Sequence, residues 1–183
     1  MFNPRFGIIG AALVAAAIWG DAAVPAQTPA IPTRVMVRVV SQDAKILSDH
    51  VGGARVIIRD ARTGKILAQG IQKGGSGDTN RIMIEPRKRG TPVYDTPGAA
   101  GFLATLMLTR PTVVEVVAEG PLGYPQAIQR ASKTLLLVPG KDVLGDGIVL
   151  TLHGFIVTLE APSDEAEAHV GEPLLIRATV RMM

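Results

Sequence analysis

Along most of the chain, apolar and polar residues alternate at period two, the spacing of strands with one buried face. Over residues 33–41, Val35, Val37 and Val39 fall on one side with Arg34 and Arg38 between them. The run 54–60, Ala-Arg-Val-Ile-Ile-Arg-Asp, is joined through Ala61-Arg62-Thr63-Gly64 to a returning run at 65–70. Two β-favouring runs joined by a short connection ending in Gly predict a hairpin. Residues 102–109 alternate again, and 112–119 set Val114 and Val116 against Glu115 and Glu119, so the face of Val114 and Val116 is expected to be buried. Further runs at 132–138, 148–152, 155–160 and 174–182 are separated by Pro139-Gly140, Gly145-Asp146-Gly147 and Ala161-Pro162. A short strand is expected at 81–85, and helical turns only at 98–104 and 126–131. Roughly nine short strands with Gly and Pro at about ten-residue spacing predict an all-β fold, an antiparallel β-sandwich or a barrel.

The first 26 residues depart from this pattern. One cation, Arg5, precedes an apolar run over 6–19, and small residues lead to Ala26. That three-part layout is the layout of a secretory signal peptide, with cleavage expected after Ala26. The run is shorter than the roughly 20 residues of a spanning helix, so a retained N-terminal membrane anchor is the alternative. The expected division is therefore signal peptide 1–26, linker 27–32, sandwich 33–160, and an acidic spacer plus terminal strand over 161–183. An exported chain places the protein in the periplasm or outside the cell.

Composition narrows the chemistry. The chain has 183 residues and no cysteine, which excludes a disulfide framework, a thiolate metal site and a redox thiol. Nineteen Lys+Arg against 16 Asp+Glu give a net +3, and cleavage after Ala26 removes one charge of each sign, Arg5 and Asp21. A balance this mild, with a single short basic cluster, does not indicate nucleic acid as a partner. Beyond residue 26 the aromatics are Tyr94, Phe102, Tyr124 and Phe155, too few for a carbohydrate-stacking platform.

Residues 53–70, with Asp60-Ala-Arg-Thr-Gly64 between an alternating strand and its return, resemble the opening hairpin of transthyretin-like and carboxypeptidase-regulatory-like modules. The resemblance covers about 25 residues, 51–77; it implies a seven-stranded Ig-like sandwich and brings no catalytic residue with it. At the other end, 159–180 with Val170-Gly-Glu-Pro173 before the last strand resemble the first two strands of a bacterial Ig-like domain. Two strands do not complete a sandwich. The last strand is thus expected to add to the main sheet, to belong to an incomplete second Ig-like domain, or to be donated to a partner.

Few residues offer chemistry. Asp49, His50, His153 and His169 are weak metal candidates, and Met36, Met83 and Met107 are the soft ligands a copper site would use. None of them is spaced as a ligand pair, and the methionines read as strand residues filling core gaps. The stretch 73–80 is rich in Gly but lacks phosphate-loop spacing, with no helix expected after it, and reads as a loop. Residues 142–147 have too few carboxylates for a calcium loop and read as a turn before Ile148. No nucleophile motif is present, so no catalytic residue and no cofactor are expected. The long connection opening with Arg87-Lys88-Arg89 and containing Tyr94 is more than joining two strands requires, and it is the best candidate for a binding surface, with an exposed sheet edge or the terminal strand as alternatives. These features predict a non-enzymatic accessory or protein-interaction module of the cell envelope, with contact to the membrane surface left open. A periplasmic carrier of a small molecule or of copper is the alternative.

Overall fold

A computed structural model describes residues 28–163 and 165–183; the expected signal peptide, 1–26, lies outside the described residues. The chain is all-β. Seven strands form two sheets: β1 (Ile31–Ser41), β4 (Phe102–Leu108) and β7 (Val143–Leu152) in the order β4-β1-β7, and β2 (Ala54–Asp60), β3 (Ile66–Gln72), β5 (Thr112–Gly120) and β6 (Gln129–Leu137) in the order β3-β2-β5-β6. One pairing departs from the expected antiparallel plan: β1 runs parallel to β7. The sheet partition also differs from that of an immunoglobulin constant domain, which groups its first, second, fourth and fifth strands. Here the first strand lies with the fourth and seventh.

Period-two patterning explains the packing. Val35, Val37 and Val39 of β1, Leu106 of β4 and Leu150 of β7 meet Val56 and Ile58 of β2 and Val114 and Val116 of β5 in one buried cluster between the sheets. The face expected for β5 is the one buried. On its other side Val117, between the ion pairs Arg59–Glu115 and Arg55–Glu119 along the strand, is only 2% exposed.

Several boundaries differ from expectation, each for a local reason. Ile31 and Pro32 belong to β1 and pair with β4, so the linker ends earlier. Residues 81–85 are not a strand: α1 (Thr79–Met83) forms because Asp78 caps it, accepting from the Arg81 N–H, and only Ile82 is buried. A helix therefore does follow the Gly-rich stretch. The helical turn expected at 98–104 is absent; Phe102 already starts β4, and the turn at 126–131 shrinks to a single 3₁₀ turn, Pro125–Ala127, before β6. Residues 142–147 are no simple turn. From Val143 on they enter β7 as a large bulge, in which Val143 pairs with Val35 and Ile148 with Val37. Gly147 permits it, with φ +66° and its α-carbon so close to the Met36 carbonyl that a Cβ would collide.

The sandwich closes at Leu152 rather than at residue 160. β8 (Phe155–Ala161) leaves it and pairs antiparallel with β9 (Arg177–Met182), making a separate two-stranded ribbon. The terminal strand therefore joins neither main sheet. The ribbon is seated by Ile156 and Met183, both buried in the main cluster, and by the Arg181 guanidinium, 4.4 Å from the Tyr124 ring centroid.

Candidate functional site: a braced basic loop

The long connection between β3 and β4 is folded back over the outer face of the three-stranded sheet. Its anchor is a second apolar cluster, in which Ile82 and Ala100 pack on Val40 of β1 and Ile46, with Val93, Tyr94 and Val149 against them. Polar clamps hold the same segment. The Asp146 carboxylate, carried on the β7 bulge, accepts the backbone N–H groups of Val93, Tyr94 and Asp95 at 2.7, 2.7 and 2.8 Å. Arg38, buried in β1, donates to the Ala100 carbonyl at 2.9 Å and pairs with the Asp95 carboxylate at 2.7 Å. Thr96 Oγ1 accepts the Asp78 N–H at 3.0 Å, tying the loop to the cap of α1. A segment held by three backbone donors and a buried guanidinium has little freedom to open.

The stretch before these clamps is free of them. Arg87, Lys88 and Arg89 are exposed, and no ion pair among the described residues involves any of the three. That contrasts with Arg55, Arg59 and Arg130 on the four-stranded sheet, all of which are paired with Glu115 or Glu119. Of the residues singled out in the sequence, the structure brings Arg87 and Tyr94 together: an Arg87 N–H donates to the Tyr94 hydroxyl at 3.4 Å, and the guanidinium carbon lies 5.9 Å from the ring centroid. Lys88 and Arg89 extend the cationic edge outward.

Arg87 divides two open clefts. One, of about 420 Å³, lies between Arg87 and Tyr94, the Met83 and Glu85 side of α1, and the connection after β1 at Ser41 and Asp43. The other, of about 310 Å³, has Arg81, Arg87 and Lys88 on its walls. A guanidinium fork beside a phenol suits a planar carboxylate or a phosphate, which it can grip through two N–H groups at once. No histidine lines either cleft; their charged walls are Arg87 with Asp43 and Glu85 in the first, and Arg81, Arg87 and Lys88 with Asp78 and Glu85 in the second.

The metal candidates are not assembled. Asp49 and His50 share an exposed 3₁₀ turn, His153 lies between β7 and β8, and His169 lies in the 163–176 segment. Among the described residues no group of three His, Cys, Asp or Glu stands at metal-holding distance. The methionines do not fill core gaps: Met83 ends α1 rather than lying on a strand, Met107 is exposed on β4, and Met36 lies on the outer face of β1. Sequence reasoning missed Asp146 and Arg38, the residues that position the loop. Their partners lie more than fifty residues away, and no local motif marks such a contact. No protein-family model, no curated protein and no solved structure matches the chain.

Proposed function

We propose that the protein is an exported, non-enzymatic interaction module of the cell envelope, and that the loop beginning at Arg87 is its contact surface for an anionic face of another envelope protein. One observation carries this reading: the segment is pinned by Asp146 and Arg38, while among the described residues no carboxylate pairs with the three cations at its tip. A surface held in place before binding loses less conformational entropy on association. The hairpin behind the resemblance to transthyretin-like modules is formed as β2 and β3, and it supports counting the chain among such accessory sandwiches.

The reading is tested by reversing the tip, Arg87→Glu, Lys88→Glu and Arg89→Glu together. Binding to the envelope partner should be lost with the fold intact, and wild-type binding should weaken as salt is raised. Unchanged binding by the triple variant refutes it. The cleft of about 420 Å³ beside Arg87 favours a second reading, a carrier of a small acidic ligand. In that case a set of small carboxylates and phosphates would raise the melting temperature of the wild type but not of Arg87→Ala.

A further inference from the structure

The ribbon of β8 and β9 turns the usual arrangement inside out. Its register sets Phe155 opposite Met182, Val157 opposite Val180 and Leu159 opposite Ala178, so six uncharged side chains share one face. That face is bare: Phe155 is 61% exposed, Val157 49%, Leu159 56%, Val180 60% and Met182 54%. The polar residues Thr158, Glu160, Arg177 and Thr179 occupy the other face, the one that also carries the buried Ile156, and Thr179 Oγ1 donates there to the Glu160 carboxylate. With full side-chain areas of roughly 150–200 Å², these exposures leave on the order of 500 Å² of apolar surface on a single face, at the upper end of what a monomer ordinarily shows.

We infer that this face is covered by the same face of a second copy of the chain, related by a two-fold axis. Two identical faces packed together bury about 1,000 Å², the least area expected of a specific interface. The face carries no charge, so meeting its own copy desolvates none and brings no like charges together, while Glu160, Arg177 and Arg181 belong to the opposite face, Arg181 against Tyr124. A two-stranded sheet with one apolar face lacks the second layer that sheets need, and the second copy supplies it at the ordinary spacing of about 10 Å. The contact is isologous and closes at two copies. It is independent of the Arg87 loop and stands or falls apart from the function proposed above.

Analytical ultracentrifugation of the full chain, as the cell processes it, over a rising concentration series tests this. The wild type should pass from monomer to dimer. Val157→Lys should raise the dimer dissociation constant at least about tenfold, whereas Thr158→Lys on the opposite face should not. A wild type that stays monomeric up to its solubility limit overturns the inference, as does a Val157→Lys variant that dimerises like the wild type. Should Val157→Lys fail to fold, peroxide oxidation of the wild type decides. At concentrations where the dimer forms, Met182, 54% exposed in the single chain, should be oxidised severalfold more slowly than Met107, 61% exposed. Equal rates for the two methionines overturn the inference.

Discussion

Gln72 does the work of a missing strand. The pairing of β4 with β1 ends at Val37; two residues later the Val39 carbonyl accepts the Leu47 N–H at 3.0 Å, but the Val39 N–H has no backbone acceptor from β4. The buried Gln72 carboxamide takes the place: its Oε1 accepts the Val39 N–H at 2.7 Å, and its Nε2 donates to the carbonyls of Val39 and Leu47 at 2.9 and 2.8 Å. Gln72→Leu keeps the volume but takes from the Val39 N–H and the Leu47 carbonyl their buried carboxamide partner, and it should cost about 1–3 kcal/mol of stability in denaturant unfolding. Asp142 closes the opposite end of β1. The Arg34 backbone N–H, and then the Arg34 side chain, hold its carboxyl below the ordinary 3.8. A carboxylate whose pKa is lowered by folding stabilises at higher pH, and the contribution is lost as pH falls below 3.8 and through the lowered folded value. The melting temperature of Asp142→Asn should therefore fall less steeply with acid below that point than the wild type's. Part of the slope should remain, because the Thr63 backbone N–H lowers the Asp60 pKa in the same direction.

Among the elements, the loop between β3 and β4 depends on one carboxylate for its shape. Asp146→Ala removes the acceptor of three backbone N–H groups at once and frees the segment that carries Arg87, Lys88 and Arg89. Trypsin should then cleave after those residues faster than in the wild type, while amide exchange in β2 and β5 stays slow. The elements differ in how openly the sequence shows them. β5 is plain, because Glu115 and Glu119 leave one face of alternation for the core. α1 is not: Ile82 and Ile84 fall at period two over five residues, a pattern that fits a strand as well as a helical turn, and the Asp78 cap decides between them. The basic tip could be read from three adjacent cations. The bracing that makes it a surface could not, since Asp146 meets its partners across 51 to 53 residues of chain. The ribbon was visible as two apolar runs, but their choice of each other over the main sheets depends on Ile156 and Met183 reaching the core.

Across the whole molecule, β1 sets a direction. It begins at Ile31 and runs 11 residues to Ser41, about 35 Å at strand rise. The connection after Ser41 faces the Arg87 loop, and β7 ends beside Ser41 before giving rise to the ribbon, so both surfaces lie at the end remote from Ile31. The hairpin turn between β2 and β3 lies at the Ile31 end with the turn between β4 and β5, whose Arg110 lines a cleft with Asp60 and Arg62. The proposed contact surface and the ribbon thus share one end of the sandwich, and the two ends can be compared within one protein. A photo-crosslinking residue placed at Arg89 should capture a partner in the intact cell, whereas the same residue at Thr63, exposed in the turn at the opposite end, should not. Capture at Thr63 alone, or at neither position, would contradict the assignment of binding to the Arg87 loop.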